Sequence, residues 1–272
     1  MKSVLITGAY GGMGYATAKL LANNGYTVFA LDKTVRESEE NIVPIETDLT
    51  DFESVERAFK TVSEKTDGLY SIVHFAGIYR LDSLVEMSEE RFTGIFDINV
   101  FGAYRVNKAF LPLLKKGSKI IITTSELAPL NPLPFTGIYA ITKTALEKYA
   151  FSLRQELQLL GISVSVVRPG AVKTGLLSVS TKELDSFCDN TKIYSYNAEK
   201  FRKIVNSVEA KSVPPEKVAK TVMCAIVAKK PRYVYNLNRN PLLKILNILP
   251  KKWQTKIIGK ILKNDKKTVG KD

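Results

Sequence analysis

The sequence predicts an α/β fold: a doubly wound parallel sheet of about seven strands, in a single domain with a C-terminal helical tail. Three observations predict it. Short apolar, β-branched runs alternate with longer amphipathic stretches through most of the 272 residues, the spacing of βαβ units with helices on both faces of a sheet. The first run passes through a glycine-rich turn, TGAYGGMG, directly into the first amphipathic stretch. Hydrophobic residues make up 45% of the chain and charged residues 25%, the balance of an ordinary globular protein and not of a disordered one.

Taken in order, strand signals fall at 3–7, 27–31, 42–46, 71–75, 119–124, 163–168 and 232–235. Helical patterns lie near 12–24, 51–65, 88–115, 137–160 and 214–229. Asp51 stands where an N-cap is needed, and Gly161 follows the fourth of these helices as a stop signal. Residues 175–213 break the rhythm: they read as polar, irregular and too long for an ordinary connection. Their apolar members Leu176, Leu177, Val179, Phe187, Tyr194 and Tyr196 suit either a flap over a cleft or a packed helical hairpin.

The net charge of +13 suggests nucleic acid until it is located. Residues 229–272 hold 13 Lys/Arg and 2 Asp/Glu, a net of +11; residues 1–228 hold 27 and 25, a net of +2. A nearly neutral body without aromatic residues interleaved among lysines argues against a nucleic-acid partner. Within the tail, PLLKILNILPKKWQTKIIGKILK puts Trp253, Ile257, Ile258, Ile261 and Leu262 on one half of a helical wheel and Lys252, Lys256, Lys260 and Lys263 on the other. Two readings stay open: an interfacial helix making peripheral membrane contact through 240–272, or a helix docked on protein with its lysines solvated. No signal peptide or membrane span is visible, and Cys188 and Cys224 read as incidental thiols. The expected location is cytoplasmic.

The turn at Thr7–Gly14 has the chemistry of a phosphate loop. Glycines between a strand end and a helix start let the backbone approach a pyrophosphate, and the helix N-terminus adds free N–H groups. The spacing Gly8-xxx-Gly12-x-Gly14 differs from GxGxxG, and glycine turns also arise for steric reasons alone. The second strand ends at Asp32, 18 residues after Gly14, where a carboxylate would bind the ribose 2′-hydroxyl of NAD and repel the extra phosphate of NADP. Lys33 beside it would soften that discrimination. The expected fold is therefore Rossmann-type and the expected cofactor NAD, with NADP less favoured.

A tyrosine hydroxyl serves as an acid or base near neutral pH only if a cation stabilises its phenolate. A lysine four residues later on a helix faces the same way. Tyr-xxx-Lys occurs four times, at Tyr15/Lys19, Tyr104/Lys108, Tyr139/Lys143 and Tyr196/Lys200. Only Tyr139 follows a strand that closes on a serine, Ser125, and itself opens the next helix. In an open parallel sheet both positions belong to the carboxyl edge, where ligands bind.

Read together and in order, TGAYGGMG, the Asp-Leu of TDLTD, HFAG, Asn99 in INVFG, Ser125, YAITK and RPGAVKT resemble the short-chain dehydrogenase/reductase family over about residues 1–235. The resemblance implies that Tyr139 is the general acid/base, Lys143 lowers its pKa and binds the nicotinamide ribose, Ser125 holds the substrate oxygen, and Asn99 helps hold a water leading to Lys143. It implies that Asp48 meets the adenine, Gly77 lines the ribose, and Val172 and Thr174 take the carboxamide. Met13, Leu49, Ala76, Pro169 and Gly170 join the cofactor site as members of the same motifs. It also implies a homodimer or homotetramer and no metal. Residues 1–238 would form the dinucleotide-binding catalytic domain, with a substrate flap at 175–213, and 239–272 a basic amphipathic tail. The segment PEKVAKTVMCAIVAKKPRYVY is similar to the steroid- and retinol-active branch, which implies a bulky hydrophobic alcohol or ketone, a hydroxysteroid in the first instance.

The chain departs from the family at two points. The family usually shows Asn-Asn-Ala-Gly where this chain has His74-Phe75-Ala76-Gly77, and His74, with no Asp or Cys pattern beside it, reads as structural. The Ser125–Tyr139 separation of 14 is one longer than in many members, and LAPLNPLP is expected to absorb it. A non-catalytic dinucleotide-binding regulator or scaffold is the alternative, disfavoured because Asn99, Ser125, Tyr139 and Lys143 are all present.

Overall fold

Seven apolar runs become strands in the computed structural model, which describes residues 2–209 and 212–263, the side chains of 175–181 and 207–209 excepted. They are β1 (Lys2–Thr7), β2 (Tyr26–Asp32), β3 (Ile42–Glu46), β4 (Leu69–His74), β5 (Leu114–Thr123), β6 (Ser163–Pro169) and β7 (Val234–Leu237). They pair in the order β3-β2-β1-β4-β5-β6-β7, every pair parallel. The order reverses between β1 and β4, and at such a switch a crevice opens beyond the carboxyl ends of the strands.

Helices cover both faces. On one, α1 (Gly12–Ala22) and α8 (Pro215–Val227) pack Leu21, Val218 and Val222 onto Val4, Ile6 and Val28. On the other, α2 (Phe52–Ser63), α4 (Gly102–Phe110) and α5 (Gly137–Leu157) bring Val55, Phe110 and Leu146 onto Leu5, Ile72 and Ile120. Strands covered on both sides have no face for polar residues, which is why they read as continuous apolar runs. Asp51 caps α2 as expected, its carboxylate accepting from Glu53 N and Ser54 N at 3.0 and 3.2 Å.

Two segments differ from the sequence reading. The stretch 88–115 is not one helix: α3 (Glu89–Phe96) passes through a π turn at Asp97–Phe101 into α4, and β5 already begins at Leu114. Residues 175–213, read as irregular, contain two helices, α6 (Gly175–Asn190) and α7 (Ser195–Glu209). They looked irregular because each is polar on its outer side, while Phe187 and Phe201 bury a small separate cluster with Leu81 and Phe135. Of the proposed flap side chains, Leu176, Leu177 and Val179 lie outside the described residues. The tail forms α9 (Pro241–Ile248) and α10 (Lys251–Leu262); α10 docks through Gln254 and Leu262. Residues 264–272 of the tail lie outside the described residues. No helix among the described residues is long and apolar enough to cross a membrane.

Candidate active site

The carboxyl ends of β1, β4, β5 and β6 meet at the switch point, and the site is built there. Past β1 the chain turns through Gly8 at φ 64°, a conformation open to glycine. A Cβ on Gly8 would lie 2.6 Å from Ala76 N, and one on Gly14 would lie 2.1 Å from Gly8 O. At Gly12 a Cβ would come within 2.6 Å of Thr174 Cγ2. The three glycines thus let the loop close on itself, on the Ala76 backbone and on Thr174. The N-cap of α1, Gly11, brings no side-chain acceptor to the helix start, which leaves that end suited to an anionic ligand.

The carboxyl end of β2, expected to meet a ribose, is more tied down than its sequence suggested. Asp32 accepts from Tyr10 N through one oxygen and from Lys33 N through the other, both at 2.8 Å, so it fastens the glycine loop to β2. Lys33 pairs with Asp48 at 2.7 Å. Hydrogen bonds from Lys33 and Thr50 hold the Asp48 carboxyl down at about 2. Leu49 packs toward α4, and its carbonyl accepts from Arg105 at 3.0 Å.

The expected catalytic residues sit where β5 meets α5. Tyr139 and Lys143 are buried one turn apart on α5, with the Lys143 Nζ 5.7 Å from the centre of the Tyr139 ring. Burial pushes the Tyr139 phenol up to about 12, partly offset by a hydrogen bond with Ser125. Burial alone draws Lys143 down to about 8. Its ammonium donates to the Thr123 carbonyl at 3.2 Å, and no carboxylate pairs with it among the described residues. Beside it Gly77 is bare: a Cβ there would lie 3.3 Å from Lys143 Nζ and 3.1 Å from Asn99 Oδ1. A buried cation with spare donors, next to a glycine that keeps space open, fits the hydroxyls of a ribose.

Asn99 explains the π turn. Its Nδ2 donates to Ile78 O at 3.0 Å and to Thr142 Oγ1 at 3.1 Å, while its Oδ1 accepts from Ile78 N at 2.8 Å. One buried amide therefore ties the loop after β4 to α5, and the wider turn aims it there. His74 takes over the bridge expected of the missing asparagines: its Nε2 bonds Asn107 Oδ1 at 2.9 Å, and Asn107 Nδ2 donates to Tyr149 at 3.1 Å.

A cleft of about 240 Å³ brings these parts together. From the predicted set it is lined by Met13, Gly77, Ser125, Tyr139 and Lys143, and by the β6 loop residues Pro169, Gly170, Val172 and Thr174. Gly8, Gly12, Gly14 and Ala76 stand behind it as scaffold, whereas Asp32 and Asp48 belong to the neighbouring edge. Sequence reasoning missed Tyr79, whose ring lies 4.6 Å from that of Tyr139, and the cleft residues Glu126, Leu133 and Leu243. Glu126 follows Ser125 directly and could have been found on that ground. Leu243 carries no local signal. The extra residue between Ser125 and Tyr139 is absorbed in a loop that places Phe135 at φ 64°.

The profile of the short chain dehydrogenase family matches residues 2–185, more than half of the chain. The chain belongs to this family. As a short-chain dehydrogenase it is an oxidoreductase-family member, and its relatives include estradiol 17-beta-dehydrogenase 2 of Mus musculus, 37% identical over 189 residues. That match covers 64% of this chain and 49% of the mouse protein, so the chain spans about half the length of that relative. The uncharacterized oxidoreductase YbbO of Escherichia coli K12 is 32% identical over 266 residues, 94% of each chain. A solved short chain dehydrogenase family protein from Francisella tularensis superposes with a TM-score of 0.72 at 25% identity, over 87% of this chain and 96% of its own.

Proposed function

We propose that this short-chain dehydrogenase is an NAD(H)-dependent enzyme interconverting an alcohol and a carbonyl on a bulky hydrophobic substrate, with Tyr139 as its acid/base. The observation that carries the reading is the convergence of Ser125, Tyr139 and Lys143 on one cleft whose other walls are mainly apolar. The glycine loop, Gly77 and Lys143 would hold the nicotinamide dinucleotide, which would supply or accept the hydride. In reduction, the neutral Tyr139 phenol gives its proton to the carbonyl oxygen, which Ser125 holds. In oxidation, the same oxygen must first be ionised to take the alcohol's proton, and Lys143⁺ stabilises that form. Asn99 positions the loop of Ile78 and the helix that carries Tyr139.

NAD is favoured over NADP because Asp32 stands at the end of β2 and Lys33 is already engaged by Asp48. A hydroxysteroid-like substrate is favoured by Phe201, Val205 and Leu243 in the cleft wall and by the name of the mouse relative. Exposed Phe101 and Tyr104, at the start of α4, and Phe151, on α5, two helices on the same side of the sheet, support a homodimer or homotetramer.

The test is Tyr139→Phe, which keeps the ring and removes only the proton. The variant should bind NADH as the wild type does and lose at least about a hundredfold in turnover. A panel of steroids, retinoids and small alcohols, each with NAD and NADP, tests the substrate and cofactor together. Turnover by the phenylalanine variant at the wild-type rate would remove Tyr139 from the mechanism; a wild-type preference for NADP would overturn the cofactor assignment alone.

A further inference from the structure

The two tail helices are held to the body along one side only. Asn240 caps α9 by accepting from Leu242 N at 2.9 Å, and its own N–H donates to Glu126 at 2.6 Å. Asn131 binds both helices, through Asn247 Oδ1 at 2.7 Å and Gln254 Oε1 at 3.0 Å. Leu262 enters the cluster of Phe135 and Phe201. These contacts fix the platform and leave its outer side bare. There Leu242 is 70% exposed, Ile245 59%, Ile248 82% and Trp253 57%. The same segment carries Lys244, Lys251, Lys252, Lys256, Lys260 and Lys263, all exposed, with Lys256 over the Trp253 ring, and residues 229–264 contain no Asp or Glu.

We infer that this face docks on an anionic lipid bilayer. Large aliphatic side chains clustered on an exposed surface mark an interaction site, and the choice of occupant follows from charge. A tail segment that carries six exposed lysines and no carboxylate of its own is attracted to lipid phosphates, while the apolar side chains enter the interfacial layer and Trp253 sits at headgroup depth. A second copy of the chain is a poor occupant, because pairing this face with itself brings two lysine sets together. The sequence offered membrane contact through 240–272 as one of two readings and resolved an apolar half only on α10. The structure moves the apolar centre to α9, because α10 spends Gln254 and Leu262 on docking.

Placement adds a consequence that rests on the proposed function. Leu243 lines the cleft, while its neighbour Leu242 faces outward on the same helix. The docked face therefore adjoins the cleft wall, and a hydrophobic substrate dissolved in the bilayer reaches the site across one helix.

The experiment uses the full chain and vesicles of phosphatidylcholine with and without phosphatidylglycerol. Protein should sediment with the anionic vesicles at low salt and be released as added salt shortens the Debye length. Trp253 is the only tryptophan, so its emission should shift to the blue and become shielded from an aqueous quencher on those vesicles alone. The triple variant Leu242→Ser/Ile245→Ser/Ile248→Ser, checked by thermal melting, should bind at least tenfold more weakly, as should Lys251→Glu/Lys252→Glu/Lys256→Glu. Absence of sedimentation at low salt, or binding unaltered in the serine variant, overturns the inference. So does a lipid-free dimer that the serine variant dissociates, because a second copy then covers the face. Turnover on a water-soluble alcohol, measured without vesicles, reports on the proposed function separately.

Discussion

At the scale of single residues, the site works through burial. Tyr139 is held as a neutral phenol, its group raised to about 12, which suits it to donate a proton in reduction and hinders it as a base in oxidation. The oxidative kcat/KM should accordingly rise with pH until the phenol ionises. Lys143→Met removes the cation 5.7 Å from the ring, so it should move that limb upward by at least about one pH unit and weaken cofactor binding. Stopped-flow profiles of both proteins decide the matter; a limb at the same pH in each would mean that another group is titrating. Asp32 has a structural part beside the cofactor role proposed for it. Its oxygens already accept two backbone N–H groups, so replacing it should loosen the glycine loop as well as alter cofactor choice.

At the scale of elements, the α6–α7 hairpin depends on a loop residue in an unusual conformation. Phe135 at φ 64° costs backbone energy for a non-glycine residue. Its ring offsets this by packing 4.6 Å from Phe187 and 5.2 Å from both Tyr194 and Phe201. Removing a buried phenyl ring of this kind costs about 3–5 kcal/mol. Phe135→Ala should therefore lower the urea midpoint and expose residues 175–209 to protease before the sheet is cut. An unchanged digestion pattern would show that the hairpin is anchored elsewhere. Because Phe201 lines the cleft, the same variant should raise KM for a hydrophobic substrate more than it lowers kcat.

For the molecule as a whole, the polar bridge between sheet and helices sets an acid limit. His74 is fully buried, donates through Nε2 to Asn107 and has no partner on Nδ1. Burial holds it down at about 4, below its usual 6.5. A histidine depressed in the fold favours the folded state in its neutral form. Its contribution is complete above pH 6.5 and is lost as the pH falls through that value toward 4, by roughly 3 kcal/mol. Unfolding in urea across this range should show the loss, and His74→Gln, which can keep a bond to Asn107 without titrating, should flatten the curve relative to the wild type. Parallel curves for the two proteins would assign the acid sensitivity to carboxylates.

The sheet, its flanking helices, the glycine loop and the Ser125–Tyr139–Lys143 set were legible in the sequence because each is written locally: as a two- or four-residue period, a run of glycines, or a strand end followed by a helix start. What the tertiary structure alone decided depends on contacts distant in the chain. Asn99 bends its helix because Ile78 and Thr142 meet it there, and a helical period through 88–115 carries no trace of that. The α6 and α7 helices form within 175–213 because Phe135 and Leu81 give their apolar sides something to bury; without that partner their polar outer faces dominate the pattern. A helical wheel sorts the tail's side chains by angle, but docking chooses which of them remain in water, and here it buries Leu262 and leaves Leu242, Ile248 and Trp253 outside.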